Sequence, residues 1–202
     1  MNYFAHLHIA SLTKTSWAGN LLGDFPVVAS QLDDDLYQGW RLHQMVDVMV
    51  DEHPASLAFR VMPRLGRRRF AGIVQDIAMD YWLIQYWSKF SDEPLALFCQ
   101  RAVEGLVKDK RRTPERLMRM IESLEEHNWL ANLGQINGVE KAIHSIMRRW
   151  RHGHHLQSFV EELPEVIEQA EQPFLLLYPD LLDFVAQQMK KTEVITHMTP
   201  AE

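Results

Sequence analysis

The sequence has a single cysteine, Cys99, among 202 residues, and no apolar run approaches the ~18 residues that a membrane-spanning helix needs. One cysteine excludes an intramolecular disulfide and a cysteine-based structural zinc site. The first apolar stretch contains His6 and His8 and does not begin with basic residues, so we expect no signal peptide. These absences predict a cytoplasmic protein with no membrane association.

Motifs of several large enzyme classes are also missing. The sequence has no glycine-rich phosphate-binding loop, no dinucleotide-binding glycine fingerprint and no G-x-S-x-G nucleophile turn. Cys99 lies in an apolar helical run, which favours a small buried thiol over a nucleophile. The residues left to carry chemistry are the histidines and aspartates of the first 80 positions.

The charge is acidic overall but unevenly distributed. The chain has 21 basic and 27 acidic residues, a formal net charge of -6 that argues against nonspecific nucleic-acid binding. Residues 1–59, 60–119 and 120–202 carry net charges of -5, +6 and -7. The basic middle could attract an acidic partner, or it could be a solvated set of helix ends and loops.

The hydrophobic pattern is helical along nearly the whole chain, because apolar residues recur at steps of three and four. There is no flexible linker and no internal repeat, so the sequence predicts a single all-α domain, a helical bundle, over residues 1–202. We expect helices over 3–12, 16–25, 34–52, 54–62, 68–90, 94–108, 114–131, 137–151 and 156–190.

Prolines and capping residues refine these boundaries. The sequence predicts Pro54, Pro94 and Pro114 in first helical turns, with Asp92 and Thr113 as N-caps before two of them. Three further prolines predict that the last segment is two or three shorter helices, because proline breaks a helix interior. These are Pro164, Pro173 and Pro179.

Histidines and aspartates fall into three groups near the start of the chain. His6 and Asp24 lie in apolar surroundings, and His43 and Asp47 share one helix face because they are four residues apart. Asp76 and Asp80 are also one turn apart, within a stripe of isoleucines and a tryptophan. Two buried carboxylates repel each other and lose hydration, so a divalent cation is the most economical compensation.

The three groups could also be structural, with no metal ion bound. An ion pair with Arg41 or with Arg67 to Arg69 would also compensate Asp76 and Asp80, and a lone histidine is more often structural than a ligand. If a metal is bound, imidazole and carboxylate without thiolate would suit manganese, iron, magnesium or zinc in a hydrolytic site.

Four sequence blocks resemble the acyl carrier protein phosphodiesterase family, in the same order along the chain. They are residues 2–10 (NYFAHLHIA), 19–25 (GNLLGDF), 42–47 (LHQMVD) and 76–82 (DIAMDYW). Residues 128–130 (NWL) and the arginine pair 148–149 are weaker landmarks of the same resemblance.

The resemblance implies an activity and a fold. Members of the family hydrolyse the phosphodiester that joins 4′-phosphopantetheine to a serine of holo-acyl carrier protein, usually with Mn²⁺, and Mg²⁺ or Fe²⁺ are the alternatives here. The family is similar to the HD phosphohydrolases, which are all-helical and bind metal through His and Asp. This sequence departs from their signature, because it has no adjacent His-Asp pair in its early helices.

Residue roles follow from the resemblance as expectations. We expect catalytic roles for Asp24, His43 and Asp80. The expected metal ligands are His6, Asp24, His43, Asp47, Asp76 and Asp80, with His6 and Asp47 as ligands or as residues that orient them. Because acyl carrier proteins are acidic, we expect docking by Arg64, Arg67, Arg68, Arg69, Arg111, Arg112, Arg148 and Arg149.

Two further functions compete with this interpretation. One is a phosphohydrolase acting on a small nucleotide or another phosphoester. The second is a non-catalytic helical module that docks an acidic protein. A docking module has no reason to keep a buried pair of carboxylates, so the Asp76 and Asp80 pair favours an enzyme.

Overall fold

The computed structural model describes residues 3–61 and 70–198, with side chains up to residue 191, and every regular element in these ranges is helical. The all-α prediction is confirmed, and the single-domain organisation over residues 1–202 stays a prediction. The α-helices are α1 (Tyr3–Thr13), α2 (Asp34–Glu52), α3 (Pro54–Phe59), α4 (Ala71–Gln85), α5 (Trp87–Phe90), α6 (Leu95–Asp109), α7 (Glu115–His127), α8 (Ile136–Arg149), α9 (Gln157–Glu161) and α10 (Leu163–Met198). Short 3₁₀ helices cover Gly19–Asp24, Ala29–Gln31, Lys110–Arg112, Leu130–Gly134 and Gly153–Leu156.

Helix α4 is central because it contributes to both clusters of buried apolar side chains. Met79 and Leu83 pack in the larger cluster, which also contains Phe4 of α1 and Val46 of α2. Earlier residues of α4 pack with α8 and α9 in the smaller cluster. A helix buried on most sides carries its polar residues into the interior, so Asp76 and Asp80 lie beside the core.

Several predicted helix ends differ from the structure. The segment 16–25 forms a 3₁₀ helix only over Gly19–Asp24, and the segment 68–90 is interrupted at Tyr86. The segment 114–131 ends at His127 because Asn128 takes the left-handed conformation, with a φ of 42°. Helix α2 has the predicted bounds.

The capping prediction is wrong for two helices. Pro94 and Pro114 are themselves the N-cap residues of α6 and α7, with extended ψ angles, and neither helix has a side-chain cap. Asp92 and Thr113 therefore do not cap, and the Thr113 hydroxyl donates back to the Lys110 carbonyl. Pro54 lies in the first turn of α3, as predicted.

The prediction for the last segment is confirmed in part, because the segment forms two helices, α9 and α10, but none of the three prolines divides α10. The break falls at Glu162, Pro164 lies in the first turn of α10, and the helix continues through Pro173 and Pro179. An interior proline costs about 3 kcal/mol, and burying a large apolar side chain gains about 1.5–3 kcal/mol. Four side chains buried around the two prolines offset that cost: Phe174, Leu177, Tyr178 and Leu181.

Among the described residues, none of the helices combines the length and the apolar character needed to cross a membrane.

His8 of α1 is enclosed in the larger cluster of buried apolar side chains. Its burial makes the folding stability of the protein depend on pH. Its Nδ1 lies 2.7 Å from the Tyr178 hydroxyl, and its ring packs against Trp87. Burial lowers the pKa of His8 from 6.5 to about 4, so between these values the unfolded chain binds a proton that the folded chain does not. Stability is therefore lost as the pH falls through this window.

We expect His8 to contribute about 3 kcal/mol to the loss of folding free energy between pH 6.5 and 4, at about 1.4 kcal/mol per pH unit. His8→Gln should show a shallower dependence over the same range. Urea unfolding of both proteins at several pH values measures the two slopes, and equal slopes would contradict the assignment.

Candidate metal centre

Three side chains from α1 and α2 converge on one point inside the fold. Nitrogen atoms of His6 and His43 and a carboxylate oxygen of Asp47 all lie within 4.8 Å of one another. Asp47 faces both histidines, with Oδ1 3.2 Å from the His6 Nε2 and Oδ2 2.9 Å from the His43 Nε2. The two imidazole rings stack with centroids 3.8 Å apart. We call these three residues the His6–His43–Asp47 cluster.

Three of the four imidazole nitrogens of this cluster lack a hydrogen-bond partner in regular geometry among the described residues. Both His6 ring nitrogens and the His43 Nε2 are buried and have no partner in hydrogen-bond geometry among the described residues. A buried polar atom without a partner costs about 1–3 kcal/mol, so such atoms are rare in native proteins. Converging lone pairs of two imidazoles and one carboxylate fit a divalent metal ion of the manganese, iron or zinc type.

The orientation of His43 is fixed from the side away from Asp47. Its Nδ1 lies 2.7 Å from the backbone carbonyl of Asn20, and a carbonyl only accepts, so Nδ1 carries the proton. This leaves Nε2 as the atom directed at Asp47, in the arrangement typical of a metal-ligating histidine.

The electrostatics of the cluster agree with this assignment. Burial and the neighbouring His43 lower the pKa of His6 to about 3, so His6 is neutral near pH 7 and presents a lone pair. Burial opposes the charge on His43, but Asp47 and Asp24 raise its pKa. Without a cation, Asp47 and Asp24 favour a proton on the His43 Nε2, the atom that would face a metal ion.

The 3₁₀ helix over Gly19–Asp24 packs directly on α2 and so positions this cluster. A Cβ on Gly19 would lie 2.8 Å from the Leu36 carbonyl oxygen, and one on Gly39 would lie 2.8 Å from the Gly19 backbone. The two backbones therefore approach as closely as glycine allows. The Asn20 side chain holds the segment by donating to the Thr15 hydroxyl and the Ser16 carbonyl.

Gly23 leaves the space that the His43 imidazole occupies. A Cβ at this position would lie 1.9 Å from the His43 Cδ2, so Gly23→Ala must displace either the ring or the 3₁₀ helix. We expect this variant to lose metal affinity and turnover at least tenfold, since small displacements of a reacting group are costly. Metal analysis and an activity assay measure both losses. Gly72→Ala is the control, because its Cβ would meet nothing closer than 3.5 Å.

Asp24 lies at the solvent edge of the cluster. Its Oδ1 is 3.9 Å from the His43 Nε2, and its side chain is 39% exposed. Burial of part of this residue raises the pKa of the Asp24 carboxyl. Asp24 is therefore positioned to complete a metal site from the open side, directly or through water.

Asp76 lies near the cluster but outside it. It lines a cavity of about 360 Å³ together with Asp24, and the same cavity is bordered by Arg116 and Arg149. Burial raises the pKa of Asp76, and the charge of Asp47 raises it further. Asp76 therefore faces the same reaction space as Asp24.

Asp80 lies outside the His6–His43–Asp47 cluster, and its expected role as a metal ligand stays a prediction. Its Oδ2 accepts from the Phe4 backbone N–H at 2.8 Å, and its Oδ1 accepts from the Ala5 N–H at 3.0 Å. These are free N–H groups of the first turn of α1, where a carboxylate is favoured by the helix dipole. Burial raises the pKa of Asp80 to about 7, although the two hydrogen bonds lower it. Asp80 is a positioning residue for α1, which carries His6.

The predicted docking arginines have different surroundings. Arg112 is paired with Asp33, Asp35 and Asp109, so internal ion pairs compensate its charge. Arg111, Arg148 and Arg149 are all exposed, and Arg149 also lines the cavity beside Asp24. Arg64, Arg67, Arg68 and Arg69 lie outside the described residues.

Sequence reasoning missed Tyr3 and Arg116 as residues of this site. Both border the 360 Å³ cavity and also an adjoining cavity of about 620 Å³. Tyr3 stands inside the first family-like block, so its position carried a signal. Arg116 lies in the first turns of α7, and its position in the sequence carries no comparable signal.

Comparisons with known proteins identify relatives over almost the whole chain. The family described as acyl carrier protein phosphodiesterase matches residues 1–181. The acyl carrier protein phosphodiesterase of Klebsiella pneumoniae (strain 342) is 29% identical over 185 residues, which is 90% of this chain and 96% of that protein. The protein of the same name from Escherichia coli O6:H1 is 28% identical over 91% of this chain and 96% of its own length.

No solved structure matches the chain significantly, so the similarity to HD phosphohydrolases stays a prediction. The resemblance seen in the four sequence blocks is confirmed by the family match and by relatives that cover nine-tenths of the chain. The chain belongs to the acyl carrier protein phosphodiesterase family.

Proposed function

We propose that the protein is a metal-dependent phosphodiesterase that releases 4′-phosphopantetheine from holo-acyl carrier protein in the cytoplasm. The observation that carries the proposal is the His6–His43–Asp47 cluster, because it presents metal-ligating atoms beside a cavity bordered by arginines. The names of its relatives supply the substrate, since they are acyl carrier protein phosphodiesterases.

His6, His43 and Asp47 would hold the metal ion, with Asp24 approaching from the open side. When bound, a divalent ion supplies Lewis-acid polarisation of a phosphoryl oxygen and lowers the pKa of a bound water. We propose Mn²⁺, with Mg²⁺ or Fe²⁺ as alternatives, as the family resemblance implies; the two imidazoles suit iron, and the carboxylates suit manganese and magnesium.

The remaining residues of the cavity act on the phosphodiester itself. Arg116 and Arg149 border the cavity and would bind the non-bridging oxygens, as guanidinium groups commonly do. Asp24, whose pKa is raised by burial, is placed to accept a proton from the attacking water. The water oxygen bonds to phosphorus and the bond from phosphorus to the serine oxygen breaks. The serine oxygen takes up a proton from solvent, and Asp24 returns the proton that it accepted to solvent.

Recognition of the carrier protein would use exposed basic residues. Arg111 and Arg148 are exposed in the described structure. Arg64, Arg67, Arg68 and Arg69 belong to the segment of the chain with net charge +6 and remain part of this prediction. Exposed charges act mainly on the association rate and are screened by salt.

The direct test is incubation of the purified protein with holo-acyl carrier protein and Mn²⁺, Mg²⁺ or Fe²⁺ in parallel. We expect free 4′-phosphopantetheine and apo-carrier protein, detected by mass spectrometry, and loss of both products after chelation. A panel of nucleotides and small phosphoesters assayed beside it distinguishes a general phosphohydrolase. Absence of hydrolysis with every metal would leave only the docking function and overturn the proposal.

A further inference from the structure

The 360 Å³ cavity beside the cluster opens into a larger cavity of about 620 Å³. The two share four lining residues, namely Tyr3, Arg116, Ile146 and Arg149. The larger cavity lies between α7, α8 and the 3₁₀ helix at Leu130–Gly134. A bound molecule could therefore extend from the space beside Asp24 into the second cavity.

The walls of the larger cavity combine basic, hydroxyl and apolar side chains. The two arginines line both cavities, and the Arg149 Nε donates to the Ser145 carbonyl at 3.0 Å. Lys141 also lines the larger cavity, and Arg119 is ion-paired with Glu115. The apolar and hydroxyl lining includes Met120, Trp129, Leu133, Ser123 and Ser145.

Such walls suit a ligand with an anionic head and an amphipathic tail. A phosphate would be held at the junction by Arg116 and Arg149, while amide groups and methylenes would extend past hydroxyls and apolar side chains. The volume of about 620 Å³ lies within the roughly 300–1,000 Å³ of small-molecule sites.

We infer that the larger cavity binds the pantetheine arm of the substrate, with its phosphate at the Arg116 and Arg149 junction. This inference rests on the proposed function, and it assigns the two halves of the substrate to different places. The arm lies between α7 and α8, and the serine of the carrier protein approaches from the open side beside Asp24. After hydrolysis, 4′-phosphopantetheine remains in the cavity and must leave separately from the carrier protein.

Filling the cavity tests the inference. Ser145 lines it, so in Ser145→Trp the indole would take up the space of the arm. We expect binding of free 4′-phosphopantetheine, measured by calorimetry with the metal-loaded protein, to weaken at least tenfold, and KM for holo-carrier protein to rise by a similar factor. His144→Trp is the matched control, because residue 144 precedes it on α8 and lines neither cavity. Metal content and melting temperature of both variants should equal those of the wild type.

The wild-type protein provides a second measurement that no folding defect can affect. We expect 4′-phosphopantetheine to bind at least tenfold more tightly than pantetheine, because the phosphate contacts the two arginines. Unimpaired 4′-phosphopantetheine binding in folded Ser145→Trp would overturn the inference, and so would tighter binding of AMP to the wild type. Failure of the wild type to hydrolyse holo-carrier protein would instead count against the proposed function, since ligand binding is measured without turnover.

Discussion

Asp47→Asn should abolish hydrolysis of holo-acyl carrier protein and reduce bound metal severely, while the protein stays folded. The substitution keeps the shape of the side chain but removes the negative charge that faces both histidines. Substituting a residue that only supports a metal ligand lowers metal affinity or activity roughly 10- to 100-fold. Substituting a ligand itself should lower them further. Turnover at saturating Mn²⁺ and elemental analysis of the purified variant measure the two losses.

Asp51→Asn is the matched control for this experiment. Asp51 lies on the same helix one turn later, carries the same charge and is ion-paired with Arg60 at the surface. We expect this variant to retain wild-type metal content and activity, because an exposed ion pair contributes about 0–1 kcal/mol. Wild-type turnover in Asp47→Asn, or equal losses in both variants, would show that the His6–His43–Asp47 cluster is not the reaction centre.

The architecture could be predicted from the sequence where hydrophobic periodicity decides the structure. Helix α2 has the predicted bounds because three features indicate the same ends. Asp33 caps its start, its apolar positions have helical spacing, and Pro54 begins the next helix just after its end. Helix α10 could not be predicted, because the sequence shows the cost of Pro173 and Pro179 but not the burial of the side chains around them.

The candidate site was predictable in its residue types and only partly in its geometry. The spacing of His43 and Asp47 places both on one face of α2, and the structure brings His6 of α1 to the same point. The same spacing between Asp76 and Asp80 misleads, because residues on one helix face can meet different neighbours. Asp76 reaches the cavity, whereas Asp80 meets the start of α1.

Arg116 and Arg149 illustrate what a single sequence cannot supply. Their proximity to Asp24 depends on how α7 and α8 pack against α1, and no local pattern encodes that packing. A charge count assigns Arg149 to a docking surface, whereas its position beside the reaction space suits it to bind the phosphodiester.

The largest stability loss should come from Asp80→Ala. The substitution leaves the buried N–H groups of Phe4 and Ala5 without acceptors, at about 1–3 kcal/mol each. For a protein of this size each kcal/mol lowers the melting temperature by about 2–4 °C, so we expect a decrease of roughly 10 °C in a thermal scan. Asp92→Ala removes an exposed carboxylate that caps no helix, and it should stay within about 0.5 kcal/mol of the wild type.

The same variant separates a positioning residue from a metal ligand. Helix α1 carries His6 one residue beyond Ala5, so a frayed first turn should weaken metal binding only indirectly. Because a ligand that binds only the folded state stabilises it by mass action, excess Mn²⁺ should restore much of the activity of Asp80→Ala, and none of that of Asp47→Asn. Asp80→Asn, whose amide oxygen can still accept one backbone N–H, should lie between the alanine variant and the wild type in melting temperature. A wild-type melting temperature combined with complete loss of bound metal in Asp80→Ala would return Asp80 to the set of metal ligands.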